Sequence, residues 1–184
     1  SRCVSCGICA GSCAPMGVGP PGRTGRDQLR QVEALIERGQ ATGRVVAFAC
    51  AHSAATLGPL LEERGATVVA VPCVGSLHTS AIEYVVRAGA RAALVLGCPP
   101  RDCWSREGPR WLMERIYHER EAELKGRVDR RRVKVGVVAA FDSAGAVAVL
   151  AELEQELAAF EPAVAETAIA IDTECVVPAA EAES

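Results

Sequence analysis

The sequence predicts an α/β fold: a three-layer arrangement around a parallel sheet of about four strands, with a small cysteine-rich segment in front of it. Three observations carry this reading. Four short runs rich in Val, Ala and Leu recur along the chain, at 44–50, 67–73, 92–98 and 133–141. The runs are continuously apolar rather than alternating, as parallel strands covered on both faces are. A helical segment follows each run. Successive βα units imply right-handed crossovers with helices on both faces of the sheet, the topology of flavodoxin-like and Rossmann-like folds.

Taken in order, residues 1–16 form a cysteine-rich head, and the Gly- and Pro-punctuated stretch 17–25 reads as a linker. Leu29, Val32, Leu35 and Ile36 make one apolar stripe of a helix over 26–38, with Gly39 as its stop. Strand 44–50 leads to a helix near 53–65, strand 67–73 to one near 78–88, and strand 92–98, through a loop, to a longer helix near 108–125. Pro109 suits the first turn of that last helix. Strand 133–141 leads to a helix near 144–160. Residues 161–184 hold six acidic side chains and no basic one, which predicts a loosely attached tail. The organisation is therefore 1–25, a cluster-type head and linker; 26–160, the α/β body; and 161–184, the acidic tail. The basic run Arg127–Lys134 reads as a solvated connection, with a docking patch for an acidic partner as the alternative.

The bulk numbers narrow the function. The chain has 184 residues, enough for one ordinary domain with appendages. It is 49% hydrophobic but only 4% aromatic, so the core is built from aliphatic side chains. A net charge of −3 gives no electrostatic reason to expect a nucleic acid or an anionic membrane as partner. No apolar run reaches the ~18–20 residues of a membrane span, and no signal peptide is visible. A start at Ser1, two residues before the first ligand-type cysteine, suggests a piece of a longer protein. Nine cysteines is an odd number in a chain large enough to need no staples, and CxxC spacing points to metal or redox chemistry in a reducing, cytoplasmic compartment.

The head carries Cys3, Cys6, Cys9 and Cys13 in the order C-x2-C-x2-C-x3-C, the bacterial ferredoxin run, which predicts a [4Fe–4S] cluster. In two-cluster ferredoxins the fourth cysteine serves the other cluster and is followed by Pro. Here Ala14 stands between Cys13 and Pro15, and the run occurs once. Cys13 thus closes its own cluster, with Cys175 or a partner as substitute, or it serves a cluster of an upstream copy. Zinc is the alternative metal, although zinc ribbons separate their CxxC pairs by a longer stretch.

A second cysteine set lies on the body. Cys50, Cys73 and Cys98 each end a predicted strand, and Cys103 follows in the next loop. The carboxyl ends of parallel strands line one rim, and ligands bind in the crevice there. Four thiols match the requirement of a [2Fe–2S] cluster. Cys50 and Cys73 precede helices, whose free N–H groups favour thiolate. Gly75 and Gly97 permit close backbone approach, and Pro99-Pro100 stiffens the loop that would hold Cys98 and Cys103 as a pair. Zinc, or cysteines that are merely small buried hydrophobes, remain the competing readings. No G-x-G-x-x-G follows the first strand, and Cys73 stands where a dinucleotide site wants an acidic residue. A Cys103–His52 hydrolytic pair would leave three cysteines unused. His52 and His78 follow rim cysteines, as tuning groups or as helix starts, while His118 reads as solvated.

Phe48-Ala-Cys50, Cys73-Val-Gly75 and Gly97-Cys98-Pro-Pro-Arg-Asp-Cys103 resemble the delta subunit of methyl-viologen-reducing hydrogenases, over roughly residues 44–141. The head resembles a ferredoxin half-module of the kind fused to such domains. The resemblance implies a [2Fe–2S] cluster on Cys50, Cys73, Cys98 and Cys103. It also implies electron relay between a hydrogenase or formate dehydrogenase-type donor and the flavin-containing heterodisulfide reductase subunit, in assemblies that often bifurcate electrons. Ser53 stands where the family commonly has a second cysteine, and Arg101 and Trp104 flank the last ligand where it favours Gly and His. The expectation is an electron-transfer component rather than an independent catalyst, with Trp104, Trp111 and Tyr117 as candidates for a partner surface. The alternatives from other classes are a structural zinc or cluster-stabilised docking module and a thiol redox sensor closing a Cys98–Cys103 disulfide.

Overall fold

A computed structural model describes residues 3, 5–105 and 107–171, with side chains to residue 160. The elements run α1 (Ile8–Gly11), α2 (Gly25–Glu37), β1 (Val45–Cys50), α3 (Ala51–Glu62), β2 (Thr67–Val71), a 3-10 turn (Val74–Ser76), α4 (Thr79–Arg87), β3 (Ala92–Gly97), α5 (Gly108–Tyr117), a second 3-10 turn (Arg130–Arg132), β4 (Val133–Val137) and α6 (Ser143–Ile171). The four strands form one all-parallel sheet in the order β2-β1-β3-β4. The predicted α/β class, strand number and helical cover are therefore present.

Strand alternation divides the core in two. Val46, Phe48 and Cys50 face the layer of α2, α4 and α5, where Val32, Leu35, Ile82, Val85, Leu112 and Ile116 are buried. Val45, Ala47 and Ala49 face α3 and α6, against Leu57, Leu61, Leu150, Leu153 and Leu157. Both faces of β1 and β3 are buried throughout, which is why these strands read as unbroken apolar runs. Small side chains on the sheet let the helices approach without aromatics.

Three elements differ in extent from the sequence expectation. Helix α5 stops at Tyr117 because the chain turns back: Glu119 and Ala122 take left-handed backbone, and Leu124 N–H donates to Arg115 O at 2.9 Å. That reversal buries Leu124 and Val128, which a helix continued through the charged stretch 118–123 would not do. Strand β4 ends at Val137 because its neighbour β3 ends at Gly97; one further bond, Val138 N–H to Gly97 O, closes the ladder. Helix α6 continues to Ile171, past the point where the acidic tail was expected to begin; the remainder of that tail, with Cys175, lies outside the described residues.

The basic run is held within the fold. Arg127 pairs with the buried Glu83, Arg131 with Asp129 at 2.7 Å, and Lys134 with Glu152 and Glu156 at 3.3 and 2.6 Å. Arg131 and Arg132 also lie over the Phe160 ring. Among the described residues no helix is long and apolar enough to cross a membrane.

Candidate metal centre

The strand order places the rim thiols. Because β3 lies against β1 on the side opposite β2, the sheet reverses its winding between β1 and β3, and the crevice beyond their carboxyl ends is where such sheets bind ligands. Cys50 is the last residue of β1, and Cys98 is the first after β3, so these two flank the crevice. Cys73 follows β2 by two residues, level with the same edge, since Cys50 registers with Val71. Cys50, Cys73 and Cys98 are buried and Cys103 is half-buried.

Cys73 and Cys98 both feel the other rim thiols. Burial pushes the Cys98 thiol up to about 12, and Cys50 adds to this by charge and by a thiol–thiol hydrogen bond, ahead of Cys103 and Cys73. Burial also raises Cys73, against the Ser105 hydroxyl and the Gly75 N–H, which donates to its sulfur at 3.4 Å. The thiol felt most strongly at Cys73 is Cys103, then Cys50. The thiol that acts most on Cys98 is Cys50, and Cys103 acts on both Cys98 and Cys73. β3 brings Cys98 beside β1 and Cys50, while Cys103 follows in the same loop as Cys98.

Backbone closeness supports the pocket. A Cβ on Gly108 would run into the Cys73 sulfur, and one on Gly75 would lie 2.5 Å from Gly108 Cα, so the Cys73 turn seats directly on the start of α5. Gly97 likewise lies under Pro109 rather than opening toward the crevice.

In the head, Cys3, Cys6 and Cys9 line a common hollow of about 510 Å³, walled by Val18, Gly19, Pro20 and Pro21 of the linker. Cys13 does not line it; its backbone carbonyl lies beside His78. Cys3 and Cys9 are exposed and Cys6 is half-buried.

Other predicted residues take definite places. His78 caps α4, its Nδ1 accepting from Ser80 N–H at 3.1 Å, and burial lowers its pKa. His52 stacks on Trp104 with centroids 5.2 Å apart. Ser53 is buried and donates to Cys50 O at 3.0 Å. Trp104 is 80% exposed at the rim, next to Cys103. Trp111 is half-buried under Arg120, and Tyr117 donates to Val133 O at the opposite end of the sheet from the rim. Sequence reasoning did not single out Ser105, Gly108 or Arg115. Arg115 had a signal: it falls between Leu112 and Ile116 on the buried stripe of α5, where helical spacing asks for an apolar residue.

Among the described residues no three His, Cys, Asp or Glu side chains stand placed to hold a metal ion. Raised thiol pKa values mean that a metal must displace protons at the rim, and loading is coupled to that release. The rim carries four thiols, with the Gly75 N–H and the Ser105 hydroxyl directed at the Cys73 sulfur. The chain is thus an α/β protein whose parallel sheet reverses its winding between β1 and β3 and carries four cysteines at that rim. The family of methyl-viologen-reducing hydrogenase delta subunits matches over residues 45–161, and the chain belongs to that family. Membership implies an association with hydrogenase and heterodisulfide reductase electron transfer. No curated protein matches the chain.

Proposed function

We propose that the chain is an iron–sulfur electron-transfer subunit or domain. It relays single electrons between a hydrogenase or formate dehydrogenase-type donor and a heterodisulfide reductase-like flavoprotein, in a cytoplasmic, electron-bifurcating type of assembly. The observation that carries the reading is the gathering of Cys50, Cys73, Cys98 and Cys103 at the point where the sheet reverses its winding. A [2Fe–2S] cluster held there supplies one-electron chemistry. Cys50, Cys73, Cys98 and Cys103 would hold its two irons between them. Gly75 N–H and the Ser105 hydroxyl favour thiolate at Cys73, and the buried aliphatic walls keep water from the sulfurs.

Cys3, Cys6 and Cys9 are the three ligands of a [4Fe–4S] cluster in the head hollow, and the fourth comes from outside its lining. Cys13 lies outside that lining, so it serves this cluster only by closing over it, or it serves a different cluster. Trp104 and His52 lie at the exposed side of the rim, where an electron partner would dock.

The test is iron, acid-labile sulfide and zinc per chain in anaerobically purified protein, with EPR before and after dithionite. The expected result is about six irons, four and two, with matching sulfide and two reducible signals. About two irons would restrict the relay to the rim. Zinc without sulfide would replace the relay by a structural metal module.

A further inference from the structure

Arg115 joins the two cysteine regions. It is fully buried on α5. Its Nη1 donates to Ser12 Oγ at 3.1 Å, in the head and next to Cys13. Its Nη2 donates to Gly75 O at 2.8 Å and Leu77 O at 3.2 Å, both in the turn that follows Cys73. The head packs closely on this fork: a Cβ on Gly11 would lie 2.6 Å from Nη2 and 2.6 Å from Gly75 O.

The charge itself is uncompensated among the described residues. No carboxylate pairs with Arg115, its partners are a hydroxyl and two carbonyls, and Nε has no acceptor. Burial and the nearby Arg120 lower its pKa to about 10, still charged at neutral pH, and the group opposing that shift is Cys73. A buried cation without a counter-charge is costly. Four thiolates around two irons make a net anionic site, which supplies that counter-charge.

We propose that Arg115 is a positioning residue and buried counter-charge for the rim site, clamping the head onto the Cys73 turn and raising the rim reduction potential. The potential half of this rests on the relay reading above; the clamp half does not. Reduction adds negative charge next to a fixed cation, so removing the cation disfavours the reduced state.

The experiment compares wild type, Arg115→Met, Arg115→Lys and Ser12→Ala by EPR-monitored redox titration and by hydrogen exchange of the peptide covering residues 8–13. Arg115→Met is expected to shift the rim reduction equilibrium tenfold toward the oxidised form, 59 mV for one electron, and to speed head exchange. Arg115→Lys restores most of the potential but not the protection, because an ammonium keeps the charge without the planar fork. Ser12→Ala speeds head exchange and leaves the rim potential in place. Should the Met variant fail to fold, the Lys and Ala variants still decide the clamp. Unchanged exchange in both overturns the clamp, and equal rim potentials in wild type and the Met variant overturn the counter-charge role. Absence of rim iron in wild type would end the relay reading and the counter-charge with it, while exchange still judges the clamp.

Discussion

The rim and the head present cysteines in opposite ways. At the rim the sheet delivers them: Cys50 ends β1, Cys98 follows β3 directly and Cys73 lies two residues beyond β2, and these three are buried. In the head, a four-residue helix entered through left-handed Ser5 and Gly7 carries exposed or half-exposed thiols around an open hollow. The rim cysteines are positioned by secondary structure, whereas the head is a short segment seated on the Cys73 turn. Metal-binding free energy in such small segments is largely folding free energy.

The largest expected contrast comes from ligand substitution. Cys98→Ser should remove about two irons and Cys6→Ser about four, each leaving the other signal intact, as read by metal analysis and EPR. Loss of both signals in either variant would mean that the two sites do not form independently.

The contrast between rim and head was only partly legible in the sequence. The strand-end cysteines were, because continuous apolar runs mark parallel strands and their last residues mark the rim. The pairing of Cys98 with Cys50 was not, because it depends on strand order, which periodicity does not encode. Docking of the head on Val74–Ser76 was hidden for the same reason: Gly7, Gly11 and Ser76 announce nothing locally, and the contact exists only once the fold brings them together. The stop of α5 at Tyr117 was missed because good helix formers continue beyond it, and burial of Leu124 overrides that propensity.

Gly108→Ala tests how tightly the rim is built. The added methyl meets the Cys73 sulfur, so about 1–3 kcal/mol of stability should be lost in thermal or denaturant unfolding, with lower rim iron and an unaltered head signal. A neutral result would mean that the Cys73 turn yields easily.

A smaller effect separates the regions by pH. In metal-free protein the unfolded Cys98 thiol ionises near 9 and the folded one near 12. The unfolded chain therefore loses its proton first. This contribution to stability is intact below pH 9 and falls as pH rises toward 12, at up to about 1.4 kcal/mol per unit. Cys98→Ala should flatten that slope, and alkylation of Cys98 should keep accelerating to higher pH than an ordinary thiol. The smallest stability effect belongs to Trp104→Ala, within about 0.5 kcal/mol because the ring is exposed. Its expected consequence is slower electron exchange with a docked flavoprotein, measured by stopped-flow.

The most direct test of the account is a variant with Cys3, Cys6, Cys9 and Cys13 all replaced by Ser, purified anaerobically and titrated with dithionite under EPR. A preorganised rim predicts about two irons and two labile sulfides per chain with a signal that appears on reduction and disappears on reoxidation. A folded variant holding zinc, or no metal, with no reducible signal would contradict it.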